Sequence, residues 1–111
     1  MRKSIFGLLV LLLLFTAASA QAQQVNLRIV NNTGYTIWYL YVSPSSSGSW
    51  GSDLLGNTVL PSGSEFNLTV QNGVSYDIRL IDEDGDSYTK YNRRSSGSGN
   101  WYDTFTLSDI D

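Results

Sequence analysis

The chain has no cysteine and no histidine, and only two prolines and one methionine among its 111 residues. Without cysteine no disulfide can staple the fold, and no thiolate is there to act as a nucleophile. Without histidine the side chain that most often moves protons at neutral pH is missing. Stability must therefore come from a packed core, with or without bound ions. Any hydrolytic chemistry would rest on carboxylates, because the many serines have no basic partner beyond Lys90.

Long apolar runs are equally scarce, and the one present sits at the start. Arg2-Lys3, the run from Ile5 to Phe15 and Thr16-Ala17-Ala18-Ser19-Ala20 follow the charged, apolar, small-residue order of a secretory signal peptide. Cleavage is expected after Ala20, with Ala22 as the alternative. The run of 11 residues falls well short of the roughly 20 needed to span a membrane. No cysteine follows it, so a lipid anchor is not indicated. The reading is a leader over residues 1–20 and one secreted or periplasmic domain over residues 21–111, with no membrane span after cleavage.

Positive charge is the next deficit. Once Arg2 and Lys3 leave with the leader, Arg28, Arg79, Lys90, Arg93 and Arg94 face ten Asp and Glu, a net charge of −5. That argues against nucleic acid as a partner, since phosphate binding needs a basic face. A domain of this length buries about two-thirds of its unfolded surface around a single core.

What the chain does have is period-two alternation broken by turn residues, the mark of an all-β fold. In "VNLRIVN" Val25, Leu27 and Ile29 share one face. "NNTG", Asn31 to Gly34, reads as a turn. "YTIWYLYV", Tyr35 to Val42, is apolar or aromatic on both faces, which suggests a central strand. The long irregular stretch Ser43 to Asn57 follows, then a short strand at Thr58 to Leu60 and a "PSGS" turn. "EFNLTV" turns Phe66, Leu68 and Val70 inward, and "VSYDIRLI" does the same with Val74, Tyr76, Ile78 and Leu80, leaving Asp77 and Arg79 on the other side. "SYTKYN" and a last strand from Trp101 to Leu107 complete the set. No helical periodicity is present. The expected fold is a single antiparallel β-sandwich of about seven strands, with a small β-barrel as the alternative.

The most chemically loaded segment is "IDEDGDSY", Ile81 to Tyr88. Asp82, Asp84 and Asp86 at alternate positions suit a hard cation such as Ca2+, which takes six to eight oxygens. The EF-hand pattern fails beyond that start, because Gly85 comes too early and Arg93 stands where the bidentate glutamate belongs. The competing reading is a hairpin tip, with Asp84-Gly85 as the central pair of a type I′ turn. If strands alternate up and down, this turn shares one end of the domain with Asn31–Gly34, Pro61–Ser64 and the segment holding Asp109 and Asp111. Asp53 and the Arg93-Arg94 loop then lie at the other end.

The loop "SGSWGSDLLG" flanks Trp50 with Gly48 and Gly51. A plug over the end of the core is one role for the indole, because a large aromatic is usually buried somewhere. A binding loop is the other, because irregular stretches longer than about 12 residues inside small domains are often functional. Aromatic platforms suit sugar rings, and Trp38, Trp50, Trp101 and Tyr102 are the candidates, although the strand aromatics among them are expected to serve the core; Asp53 is the polar candidate. Trp101 follows the glycine-rich turn "RRSSGSGN", which would expose its indole.

The segments "NNTGYTIWYLYVSPSSSGSWGSDLLG", "LPSG" and "YDIRLIDEDGDSY" together resemble a family of small secreted bacterial β domains of unknown function. The resemblance covers nearly all of residues 21–111 and implies a secreted all-β domain, but no activity. Related sequences often carry acidic residues just before the tryptophan where Gly48-Ser49 stand here, so the resemblance implies no ligand role for that loop.

Three functions follow as expectations. The first is a non-enzymatic binding or structural module that meets a protein or carbohydrate at the cell envelope or outside the cell. The second is a calcium-dependent binding module built on the acidic loop. The third is a small carboxylate-based hydrolase, which needs two acids held across a cleft.

Overall fold

The computed structural model describes residues 24–95, 97 and 99–111; the expected leader lies outside them. Among the described residues six strands form: β1 (Gln24–Asn32), β2 (Ile37–Pro44), β3 (Glu65–Gln71), β4 (Tyr76–Asp82), β5 (Ser87–Arg93) and β6 (Asn100–Thr106), followed by a 3-10 turn at Leu107–Asp109. They make two three-stranded sheets, ordered β3-β1-β6 and β2-β4-β5, that do not close into a barrel. Among the described residues there is no α-helix, and no helix is long and apolar enough to cross a membrane.

The alternation read from the sequence sorts the faces. Val25, Leu27 and Ile29 of β1, Val70 of β3, Ile78 and Leu80 of β4 and Phe105 of β6 all enter one buried cluster between the sheets. Within the β3-β1-β6 sheet, β1 runs antiparallel to β3 and parallel to β6.

The parallel β1-β6 pair makes this sheet mixed, where a wholly antiparallel sandwich was expected. Three further expectations are corrected. Thr58–Leu60 is not a seventh strand but a single bridge, Leu60 with Ile37. The last strand ends at Thr106, because Leu107 begins the 3-10 turn that Asp109 caps by accepting from the Thr106 amide at 2.8 Å. Finally, β2 is an edge strand and not a central one. Its two apolar faces have separate explanations. Leu40 and Ile37 enter the core, whereas Tyr41 is covered from outside by Trp50, and Trp38 and Tyr39 remain exposed.

The expected clustering of turns holds. The Asn31 amide donates to Ser64 O at 2.9 Å, Glu83 N to Thr36 O at 2.9 Å and Asp111 N to Ser87 O at 2.8 Å, so these segments share one end. Asn31 is the hinge of that end and is fully buried. Its Nδ2 donates to Tyr35 O and Leu60 O, each at 2.8 Å, and its Oδ1 accepts from the Thr33 amide and hydroxyl. All four hydrogen-bonding positions of the side-chain amide are thus used.

On the side where β5 faces β6, a buried carboxylate ties the sheets together. Asp103 is 1 % exposed and sits on the inner face of β6. Its oxygens accept from Lys90 Nζ at 3.1 Å and Arg93 Nε at 2.9 Å, both reaching across from β5. Lys90 also donates to Thr104 O at 2.7 Å and lies 4.7 Å from the Phe105 ring centroid. Removing one partner of a buried pair costs about 3–5 kcal/mol. The Lys90 and Arg93 side chains keep 20 % and 44 % of their exposure, so both cations can return to water. Asp103→Ala is therefore expected to cost about 3 kcal/mol, at the lower end of that range, measured by urea unfolding.

Candidate functional site

After β2 the chain turns at Pro44, where Ser47 N donates to Pro44 O at 2.8 Å and Ser45 N to Ser75 O at 2.8 Å. It crosses the outer face of the β2-β4-β5 sheet, reverses at Gly51 in a left-handed conformation (φ 75°) and returns beside β2. Asp53 holds the return. Its Oδ1 accepts from the Leu40 amide at 2.9 Å and the Leu55 amide at 3.0 Å, while Leu54 N donates to Leu40 O at 2.8 Å. Leu55 then enters the core.

This path lays Trp50 on the outer face of the sheet, not over the end of the core. The indole lies 6.5 Å from each of the Tyr41 and Tyr91 rings and 4.7 Å from the Arg79 guanidinium. Arg79 is itself oriented, its Nε donating to Thr89 Oγ1 at 3.0 Å. Beside Trp50 opens a cleft of about 170 Å³, lined by Ser43, Ser47, Asp77 and Tyr91. Asp77 Oδ1 accepts from Ser45 Oγ at 2.7 Å and from the Asn92 amide at 3.0 Å. Among the described residues no donor is bonded to its Oδ2. Asn92 has a positive φ of 56°, and the β4-β5 register shifts beside it, between Tyr76 and Ile78.

The four residues expected to bind a ligand are therefore separated. Trp50 is at the cleft. Asp53 lies halfway along β2, not at the end carrying Arg93 and Arg94, and its Oδ1 is taken by the Leu40 and Leu55 amides. Trp101 faces inward and packs on Tyr76 at 6.4 Å, because its strand phase matches Asp103 and Phe105, so the glycines before it do not expose it. Tyr102 is exposed on the outer face of the other sheet, 5.6 Å from the Arg28 guanidinium. Tyr41, Asp77, Arg79 and Tyr91 were not singled out by the sequence. Their signal was present in the alternation, which puts Asp77 and Arg79 opposite the core phase of β4.

The acidic loop gathers Asp82, Asp84 and Asp86, with one oxygen of each lying within 4.8 Å of the others. Asp82 is 2 % exposed and already engaged. Its Oδ1 accepts from the Asp84 and Asp86 amides, each at 3.0 Å, and its Oδ2 from the Tyr88 hydroxyl at 2.8 Å. Gly85 N donates to Asp82 O at 3.0 Å and Gly85 is left-handed (φ 85°). Glu83 and Asp84 are the centre of the turn, and Gly85 is the bulge residue that closes it. The type I′ turn is not formed, because it needs positive φ at both central residues and Asp84 does not adopt it. Asp109 and Asp111 do not join this group. Asp109 caps Thr106, and Asp111 Oδ2 accepts from Ser87 and Thr89 hydroxyls at 2.7 Å each. Burial works to raise the Asp111 carboxyl, but those hydrogen bonds outweigh it and hold the group below its ordinary value.

No family model, curated protein or solved structure matches the chain.

Burial, and then the hydrogen bond to Asp82 and its charge, push the Tyr88 phenol well above its ordinary value. The neutral phenol is the form the fold favours. Its contribution to stability is complete below about pH 10 and is lost as the pH rises through the raised value. In an alkaline titration followed by tyrosinate absorbance, at least one of the seven tyrosines should stay protonated until the fold opens. Tyr88→Phe should remove that late fraction.

Proposed function

We propose that the protein is a secreted or periplasmic, non-catalytic β-sandwich that binds one ring of a neutral saccharide in the Trp50 cleft. The observation that carries this reading is the indole held on the outer sheet face, with Tyr41 and Tyr91 beside it and Arg79 against its ring. A pyranose presents a C–H face to an aromatic surface and hydroxyls around its rim. Ser43, Ser47 and Asp77 border the cleft with hydroxyl and carboxylate partners for that rim. A volume of about 170 Å³ lies below the range of sites for drug-sized ligands, which suits a single ring.

Charge narrows the ligand further. The indole already faces a guanidinium, so a second cation on the same ring gains little. The cleft is lined by one carboxylate, Asp77, whereas glycoside hydrolysis uses two acids flanking the bond. That favours binding over cleavage. The leader pattern of residues 1–20 and the resemblance to small secreted β domains support a site of action outside the cytoplasm.

Titration of the purified protein with a panel of neutral oligosaccharides, followed by calorimetry, tests the reading. Saturable binding is expected, and Trp50→Ala should weaken it at least tenfold, about 1.4 kcal/mol. Trp101→Phe, on the inner face, should leave the affinity unchanged. A folded protein that binds no member of the panel overturns the saccharide assignment.

The convergence of Asp82, Asp84 and Asp86 favours a second reading, a calcium-dependent module. It ranks lower because three protein hydrogens already occupy the Asp82 carboxylate. Calcium at 100 times its dissociation constant would add about 2.7 kcal/mol and raise the thermal midpoint by several degrees. The expected midpoint is the same in calcium and in chelator. A rise abolished by Asp84→Asn with Asp86→Asn would establish the ion site.

A further inference from the structure

The four sheet edges are treated unequally. The edge of β2 is covered, since Ile37 and Leu60 exchange backbone hydrogen bonds at 2.9 Å and Leu54 N and Asp53 Oδ1 engage Leu40. The edge of β5 is capped by the Ile110 bridge to Tyr88 and by Asp111 N on Ser87 O, and is broken further along by left-handed Asn92. At β6 a charge guards the edge, with Lys90 Nζ on Thr104 O. Such coverings, bulges and lysines are how sheet edges avoid pairing with other strands.

Strand β3 has none of them. "EFNLTVQ" contains no proline, lysine or register shift against β1. Its one charge, Glu65, is neutralised by Arg28 at 2.8 Å. The ladder begins with Asn31 N on Ser64 O and continues with Ile29 opposite Phe66 and Leu27 opposite Leu68. By the alternation of antiparallel bonding, Phe66, Leu68 and Val70 bond to β1, and the amides and carbonyls of Glu65, Asn67 and Thr69 face away. Among the described residues, the one bond between the β3 backbone and a group beyond β1 is at its end, where Gln71 N donates to Tyr76 Oη. Phe66 and Leu68 face the core yet remain only half-buried.

We propose that β3 is a self-association edge and that its partner is a second copy of this chain, paired antiparallel about Leu68. The strand is complementary to itself in that register. Leu68 meets Leu68, Phe66 meets Val70, Asn67 meets Thr69 and Glu65 meets Gln71, so apolar residues fall together on the core side and no like charges oppose. The pairing is isologous and closes on a two-fold axis. The β3-β1-β6 sheets of the two copies join into one six-stranded sheet. Because that axis is perpendicular to the joined sheet, both β2-β4-β5 faces, and hence both Trp50 clefts, look to the same side. A dimer could then engage two sites on one polymer or surface, with the gain in avidity that linkage gives. The pairing itself rests on the edge and is independent of the saccharide reading.

The test is the mass in solution of the protein purified from expression of the full sequence, by light scattering over a dilution series. Twice the protomer mass at the concentrated end is expected. Thr69→Pro removes an outward amide from an edge strand, where proline is tolerated, and should give the protomer mass. Asn67→Lys with Thr69→Lys sets lysines opposite lysines at exposed positions and should do the same if the proline variant fails to fold. The chain has no cysteine, so Leu68→Cys places a single thiol on the axis, where facing Cα atoms about 4.5 Å apart can form a disulfide. It should cross-link on oxidation, whereas Thr104→Cys on β6 should not. A protomer mass up to about 1 mM, a dissociation constant of no structural consequence, overturns the proposal. So does a dimer that survives the β3 substitutions or cross-links through Thr104.

Discussion

Asp103 is the constraint around which the two sheets are arranged. A carboxylate at 1 % exposure in the inner face of β6 is unfavourable unless cations reach it, and both cations come from the opposite sheet. The relative position of β5 and β6 is therefore fixed by charge pairing in a chain that has no disulfide to do so. Arg93 is held by Asp103 one residue beyond Asn92, and Asn92 in turn is bonded to Asp77. The local geometry of the Trp50 cleft thus traces back to a buried ion pair on the far side of the same sheet.

The long loop illustrates how an irregular segment can be ordered without regular structure. One carboxylate, Asp53, receives two amides, and one leucine, Leu55, is buried, so both strand-side ends of the return are fixed. Ahead of them Trp50 is laid across tyrosines and a guanidinium that the strand alternation had already turned outward. The acidic turn follows the same economy. Asp82 gives its carboxylate to the two amides of its own turn and to Tyr88, which orders the hairpin.

Strand positions and core faces were legible in the sequence because the side-chain period is fixed by backbone geometry. Val25, Leu27 and Ile29, and again Ile78 and Leu80, announce their face without reference to anything else. Neighbour relations were not legible. Two-sided apolarity in "YTIWYLYV" looked like a central strand because a covering loop and a covering sheet leave the same residue pattern. Trp101 looked exposed from its glycine-rich approach, although the phase of Asp103 and Phe105 turns it inward. For Asp53 and Asp103 the sequence supplies a charge but not the partners on other strands, Leu40, Lys90 and Arg93, that engage it; for Asp82 the partners are close in sequence but are met only once its turn has closed. The acidic loop was the most conspicuous motif for the same reason: the hydrogens that occupy Asp82 are invisible in a string of letters.

The placement of β1 has a kinetic consequence. It is the first strand of the domain to be synthesised and the middle strand of its sheet, yet one of its two neighbours is β6, 74 residues away at Asn26 and Asn100. That sheet has no complete form until the final strand exists, and Lys90 and Arg93 have no anion to bind until Asp103 arrives. Pairings this distant in sequence make folding slow compared with local contacts. The β3-β1-β6 sheet and the Asp103 ion pairs consequently form only once β6 is in place.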